Sequence, residues 1–100
     1  SRGLSGRASI PEFGGMFFRL DPPGIYSFWM KDMRFPIDIF WIRESRIVFI
    51  AENILPEPGV PDRDLSVYRP SVSADAVLEV RAGMAKRLGI SAGERITVKE

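Results

Sequence analysis

The stretch Phe35-Pro-Ile-Asp-Ile-Phe-Trp-Ile42 decides the fold, because it is the most apolar strand-like run in the chain. Its apolar side chains alternate onto both faces of the predicted strand: Ile37, Ile39 and Trp41 on one, Phe40 and Ile42 on the other. A strand that is buried on both faces is central in its sheet or belongs to a small closed barrel. The stretch therefore predicts either a central strand or a strand of a small closed barrel.

The neighbouring segments predict further antiparallel strands. A second β-prone run, residues 46–53, follows after the short polar segment Arg43-Glu-Ser45, which predicts a hairpin. Residues 15–20 and 25–31 flank Asp21-Pro-Pro-Gly24. Because proline fixes φ and glycine accepts a positive φ, this segment predicts a turn and a second hairpin.

The second half of the chain predicts a loop, a strand, a helix and a last strand. Residues 55–70 are rich in proline and show no period, which predicts a long loop. We predict strands over residues 76–80 and 95–98, and between them a helix over residues 83–88 that ends at Gly89. The predicted fold is mainly β (α+β): a small antiparallel barrel or rolled sheet of about six strands with one short helix near the C-terminus.

Length and composition limit the function classes. At 100 residues the chain is predicted to be a single domain over residues 1–100, with the composition of a soluble globular protein. Its net charge of +1 gives no electrostatic footprint for nucleic acid, and no apolar run reaches the ~18 residues of a membrane span. There is no Cys and no His, which excludes nucleophilic triads and metal sites held through imidazole or thiolate and leaves carboxylate, Lys, Tyr and hard-cation chemistry. We predict no resident metal and no cofactor, and the compartment stays open.

Three carboxylates stand among apolar neighbours in predicted strands: Asp38, Glu52 and Glu79. A carboxylate in such a setting must be paired, hydrogen-bonded or protonated. If the strands bring two of the three together, the pair could divide acid and base roles or hold a hard cation. Otherwise each bonds backbone amides or pairs with an arginine, and we favour this structural role.

The segment Phe28-Trp-Met-Lys-Asp32 places aromatic rings, a cation and an anion at a predicted strand end. Lys31 beside Asp32 could bind an anionic ligand or take part in acid-base chemistry. The alternative is that the aromatic side chains fill the core and the charged pair is solvated, which is the commoner use of such residues. Trp29 and Tyr68 could also contribute to a stacking platform for sugars.

Nine motifs follow one another along nearly the whole chain: Arg2-Gly-Leu-Ser-Gly-Arg7, Gly15-Met-Phe-Phe18, Phe28-Trp-Met-Lys-Asp32, Pro36-Ile-Asp-Ile-Phe-Trp-Ile42, Glu52-Asn53, Tyr68, Val77-Leu-Glu-Val80, Ala82-Gly83 and Leu88-Gly-Ile90. In this order they resemble the uncharacterised family known as domain of unknown function 192. The resemblance implies a compact, mostly β fold of the small-barrel type with a short helix, found in prokaryotic proteins. It implies no established activity, cofactor or catalytic residue.

The resemblance also implies a shared polar site and a missing strand. Seven residues fall on its motif positions: Trp29, Met30, Lys31, Asp38, Glu52, Asn53 and Glu79. Members of the family usually carry another strand before the R-G-L stretch, whereas this chain starts at Ser1. We therefore expect that an N-terminal strand is lacking and that an exposed edge strand could pair with another chain to form a homo-oligomer.

The leading functional hypothesis is a small non-enzymatic binding or accessory domain that takes a small polar ligand near the F-W-M-K-D and P-I-D-I segments. Its candidate site residues are Trp29, Lys31, Asp32, Asp38, Glu52, Asn53, Tyr68 and Glu79. One alternative is a carboxylate-dependent hydrolase or saccharide-binding module. Another is a module that assembles through its edge strand.

Overall fold

The computed structural model describes residues 15–29 and 34–96 of the chain. These residues form strands, one turn of 3-10 helix and one short α-helix: β1 (Gly15–Gly24), β2 (Phe28–Trp29), β3 (Ile37–Arg43), β4 (Arg46–Ile54), the 3-10 turn (Asp62–Asp64), β5 (Val67–Tyr68), β6 (Ala74–Arg81) and α1 (Met84–Leu88). Within these residues, no helix combines the length and the apolar character needed to cross a membrane.

The strands form two antiparallel sheets, and β3 lies inside the larger one. The four-stranded sheet has the order β1-β6-β3-β4, while β2 and β5 form a two-stranded ribbon in which Phe28 pairs with Tyr68. Over the described residues the larger sheet is open rather than closed into a barrel. The mainly β, antiparallel fold with one short helix near the C-terminus is therefore confirmed, and so is the central position of β3.

Both faces of the larger sheet are buried, and each has its own hydrophobic cluster. On the ribbon face, which the β2–β5 ribbon covers, the cluster contains Ile37, Ile39, Trp41, Ile54 and Val77, with Phe28 and Tyr68 packed against it. On the helix face, which α1 covers, the cluster contains Phe40, Ile42, Ile47, Ala76, Val80, Met84 and Ala85. Residues 37–42 of β3 are all buried, since the strand has no side facing solvent.

The predicted hairpin between residues 15–20 and 25–31 is wrong. Residues 15–24 form one continuous strand, and its partner is β6, with Gly15 opposite Val80 and Gly24 opposite Ala74. Between Arg19 and Gly24 the register shifts, so that residues 20–23 lie opposite Asp75 alone. Pro22 and Pro23 lie in this irregular stretch, where the regular pairing is interrupted, and neither has an N–H to donate to a partner strand. The sequence signal marked a real irregularity but not a chain reversal.

The hairpin of β3 and β4 is confirmed, with Arg43 paired with Arg46. Glu44 and Ser45 form its turn and both have positive φ angles, 51° and 64°, as in the two-residue turns whose twist matches that of the strands. The backbone N–H of Glu44 donates to Oδ2 of Asp75 at 2.9 Å, which fixes the turn against the start of β6.

The remaining segments follow the predictions in part. The predicted loop over residues 55–70 contains the 3-10 turn and β5, and Glu57 accepts hydrogen bonds from the backbone N–H and the hydroxyl of Ser66. Helix α1 is confirmed, and Gly89 ends it in the left-handed conformation with a φ of 65°. Of the predicted last strand, Arg95 forms an isolated bridge with Arg46, while residues 97 and 98 lie outside the described part.

We expect the substitution Gly15→Ala to destabilise the pairing of β1 with β6. A Cβ atom at Gly15 would lie 2.6 Å from the carbonyl oxygen of Glu79 and 2.9 Å from Cγ1 of Val80, so the two strands would have to move apart. The expected loss is about 1–3 kcal/mol in the free energy of unfolding, measured by urea denaturation. Gly59→Ala is the control, because no atom lies within 4 Å of its Cβ position and only its positive φ is strained. A Gly15→Ala variant as stable as the wild type would contradict the close approach of these strands.

Candidate functional site

Asp38 is a fully buried carboxylate on the helix face of β3, with 0% of its surface exposed. Its Oδ1 accepts a hydrogen bond from the backbone N–H of Asn53 at 2.9 Å. Its Oδ2 accepts two more, from the backbone N–H groups of Gly83 and Ala85, both at 3.0 Å. A buried charge is tolerated when hydrogen bonds to it replace those to water, and this carboxylate receives three. Asp38 therefore joins β3 to the end of β4 and to the start of α1.

The hydrogen bond from Asn53 depends on a β-bulge in β4. Ile39 is paired with Ala51 and Ile37 with Ile54, so both Glu52 and Asn53 lie opposite Asp38. Asn53 has a φ of 53°, in the left-handed region that asparagine adopts more readily than most residues. This geometry turns its N–H toward the sheet, where the carboxylate accepts it.

The two hydrogen bonds that Oδ2 of Asp38 accepts come from the start of α1. Gly83 is the N-cap residue of this helix and has a φ of 95°, which a residue without a Cβ adopts at little cost. Glycine has no side chain that could accept from the unpaired N–H groups of the first turn. Asp38 does so from another strand, and it takes the place of the usual capping side chain.

The strand register separates two of the three candidate carboxylates. In the pairing of β3 with β6, Asp38 lies opposite Val80 and Ile39 lies opposite Glu79. Because paired residues share a face and adjacent residues alternate, Asp38 belongs to the helix face and Glu79 to the ribbon face. The sheet lies between the two side chains, so they do not form the carboxylate pair that the sequence analysis considered.

The other candidate residues are distributed around the sheet. Glu52 and Asn53 are exposed, and the contact of Asn53 with Asp38 is made by its backbone. Tyr68 is half-buried against the ribbon face. Glu79 is buried, with 7% of its surface exposed. Trp29 pairs with Val67 through its backbone. The last two candidates, Lys31 and Asp32, lie outside the described residues.

The arrangement is suited to holding the fold rather than to acid-base chemistry. A general base must reach the proton it removes, whereas both oxygens of Asp38 are occupied by backbone N–H groups in a position without solvent contact. Among residues 15–29 and 34–96, no group of three or more acidic, His or Cys side chains could hold a metal ion.

Sequence reasoning missed one buried polar group, the indole N–H of Trp41. This side chain is fully buried on the ribbon face between the rings of Phe28 and Phe49, at centroid distances of 5.8 and 5.2 Å. Within the described part of the chain its Nε1 has no hydrogen-bond partner. The sequence placed Trp41 in the core, but it gave no signal of the missing acceptor, because the neighbours come from β2 and β4.

The model of the family DUF192, described as uncharacterized, matches residues 1–98. No curated protein matches the sequence significantly.

Two solved structures resemble the chain closely. One is a protein of unknown function from Novosphingobium aromaticivorans, with 32% identity and a TM-score of 0.84, covering 97% of this chain and 66% of that one. The other is described as a "putative transcription regulator" from Sinorhizobium meliloti, with 30% identity and a TM-score of 0.82, covering 94% of this chain and 69% of that one. The chain thus spans about two thirds of the length of each of these proteins.

We expect Asp38→Asn to destabilise the protein strongly. Asparagine has nearly the same size, but it offers one acceptor oxygen and places an NH₂ donor against a backbone N–H. At least one buried N–H then loses its partner, and the expected loss is about 3 kcal/mol in the free energy of unfolding by urea denaturation.

Glu52→Gln is the matched control for this change. It makes the same change of carboxylate to amide on an exposed residue of the same bulge. We expect its effect to stay within about 0.5 kcal/mol. An Asp38→Asn variant as stable as Glu52→Gln would show that the three hydrogen bonds do not hold these segments together.

Proposed function

The chain belongs to the DUF192 family, and we propose that it is a small non-enzymatic binding domain. The observation that carries this proposal is the use of Asp38. Its carboxylate is the most deeply buried acidic group among the described residues, and three backbone N–H groups occupy it. A side chain committed in this way stabilises the domain and is not available to a substrate.

A hydrolase that works with two of its own carboxyl groups needs both of them to reach the same substrate molecule. In glycoside hydrolases the two groups are about 5–9.5 Å apart and flank the bond that is cleaved. Asp38 and Glu79 lie on opposite faces of the sheet, and Glu52 is exposed on β4. This separation supports a binding role over the hydrolase alternative.

We further propose that the F-W-M-K-D segment makes the ligand contacts of the binding domain. The support is the chain order and the register: Lys31 and Asp32 come two and three residues after the end of β2, and Phe28 of β2 is paired with Tyr68. Glu79 belongs to the face that the ribbon covers. A cation and carboxylates beside aromatic residues would suit a small polar ligand with an anionic group.

The substitution Lys31→Met tests this placement, with inorganic phosphate as the anionic probe and glucose as the neutral one. In ¹H–¹⁵N NMR spectra of the full chain at constant ionic strength, we expect phosphate to shift the signals of residues 28–32 and Tyr68. The shifts should fall at least about threefold in Lys31→Met, since one charge at the site is removed. Lys86→Met removes the same charge from an exposed position on α1 and should leave the shifts unchanged.

Two outcomes would contradict the proposal. One is that neither probe shifts the signals of residues 28–32, or that both lysine variants respond equally. The other is turnover of para-nitrophenyl glycosides or esters above the buffer blank that disappears in Glu79→Gln. Such turnover would establish the hydrolase alternative.

Assembly through an edge strand remains a prediction, and the two strands that are outermost among the described residues disfavour it. β4 carries two irregularities, at Val48 and at Glu52 with Asn53, and β1 carries Pro22 and Pro23. Bulges and prolines discourage pairing with another chain. We therefore expect a monomer of 11.3 kDa from 10 to 500 µM in sedimentation velocity, and a mass that rises with concentration would favour the assembly module instead.

The description of the Sinorhizobium meliloti protein as a transcription regulator applies to that protein. For this chain, 14 basic residues against 13 acidic ones do not favour contact with a phosphate backbone. We therefore keep nucleic acid outside the proposed function.

A further inference from the structure

The β2–β5 ribbon is held together by very few strand pairs. Each of its strands has two residues, and their register consists of Phe28 with Tyr68 and Trp29 with Val67. An isolated pair of strands is marginally stable in water, so the ribbon depends on what it packs against. Its outer side adds little, since Val67 is exposed. The contacts with the larger sheet therefore decide whether the ribbon stays in place.

Two aromatic side chains of the ribbon pack on the larger sheet. Phe28 and Tyr68 both lie against the hydrophobic cluster of the ribbon face. The ring of Phe28 meets that of Trp41 edge to face, with 5.8 Å between the centroids and 76° between the planes. Burial of apolar surface and this ring contact stabilise the closed form, in which the ribbon covers Trp41.

The closed form also carries a cost, and this cost lies at Trp41. The side chain is fully buried, and within residues 15–29 and 34–96 its Nε1 has no hydrogen-bond partner. The rings of Phe28 and Phe49 beside it are weaker acceptors than an oxygen atom. Because water accepts this N–H once it is exposed, the unpaired donor lowers the ratio of closed to open forms by about five- to 150-fold.

The larger sheet is held together by groups outside the ribbon. β3 is paired along its length with β4 on one side and with β6 on the other. The three backbone N–H groups that Asp38 accepts belong to β4 and to the start of α1, on the opposite face. In the loop before β5, Ser66 donates to Glu57 of the same loop. The ribbon can therefore move while these interactions persist.

We propose that the β2–β5 ribbon opens while the four-stranded sheet stays folded, and that this opening exposes the ring of Trp41 and its N–H to solvent. The closed form predominates, because Phe28 and Tyr68 bury their apolar surface only there. Opening gives the aromatic part of the ribbon face a route to solvent and to small molecules. The inference goes beyond the proposed anion binding and does not depend on it, since it concerns the free protein.

Hydrogen exchange of the full chain in D₂O, followed by ¹H–¹⁵N NMR, measures the opening without any ligand. The chain has two tryptophans, and the variant Trp41→Phe identifies the indole signal of Trp41 by its loss. Under conditions where closing is faster than chemical exchange, each rate is divided by that of an unprotected model compound. We expect the Trp41 indole N–H to exchange at least about 100-fold faster than the backbone amides of residues 39–41, which need unfolding of the sheet.

Urea separates the two processes further. Opening of the ribbon exposes less surface than unfolding of the domain, so urea should accelerate the exchange of the Trp41 indole less steeply than that of residues 39–41. The failure of this experiment and the failure of the phosphate experiment are distinguishable, because one detects opening of the free protein and the other detects shifts caused by an anion.

Two conservative core variants act on different parts of the molecule. Ile47→Val removes a methyl group from the cluster of the helix face, away from the ribbon. We expect it to accelerate the exchange of residues 39–41 about fivefold and to leave the exchange of the Trp41 indole unchanged. Phe28→Leu weakens the contact of the ribbon with Trp41, and it should accelerate the exchange of the indole and of residues 39–41 alike, about fivefold.

Two results would overturn the inference. If the Trp41 indole and residues 39–41 exchange at the same corrected rate, with the same urea dependence and the same response to Ile47→Val, the ribbon opens only when the whole domain unfolds. If the indole exchanges as fast as the unprotected model compound, no closed ribbon covers it. Should Ile47→Val fail to fold, the urea dependences of the wild type still decide between these cases.

Discussion

The carboxylate of Asp38 is the interaction on which the rest of this structure depends. It joins residues 15, 45 and 47 positions away along the chain, and all three contacts are made by backbone N–H groups. The sheet alone would leave the amides of the bulge and of the first turn of α1 without acceptors. The Asp38 side chain accepts hydrogen bonds from both sets of amides, and it thereby positions α1 on the helix face of the sheet. The conformations of Asn53 and Gly83, both with positive φ, are consistent with this single acceptor.

The sequence was sufficient for those elements whose signals are local. The hairpin of β3 and β4 needs only two apolar runs and a short polar connection, and α1 needs only a short segment that Gly89 ends. The partner of β1 was not predictable in this way, because Asp21-Pro-Pro-Gly24 has the composition of a turn whether the chain reverses there or continues with an irregularity. The β2–β5 ribbon joins strands of two residues each, about 40 positions apart, and such pairs leave no periodic pattern to read.

In the candidate site, too, the sequence predicts what depends on local signals and not what depends on pairing between distant segments. An acidic residue between Ile37 and Ile39 predicts a satisfied buried carboxylate, and this is what Asp38 is. The sequence could not say which groups satisfy it, because backbone amides carry no residue signature. It also could not say that Asp38 and Glu79 are separated, since this follows from the pairing of Ile39 with Glu79, a matter of register between strands that are distant in the chain. Lys31 and Asp32 lie outside the described residues, and their part in the site stays a prediction.

The burial of β3 on both sides has a consequence for how such a domain can diversify. In a sheet with one solvent-exposed face, half of the residues of a strand can be substituted freely while the other half maintain the core. Residues 37–42 offer no such freedom, since five of them belong to the two hydrophobic clusters and Asp38 is buried with three hydrogen bonds. Novel specificities would therefore arise more readily at the turns and strand ends around this strand than within it.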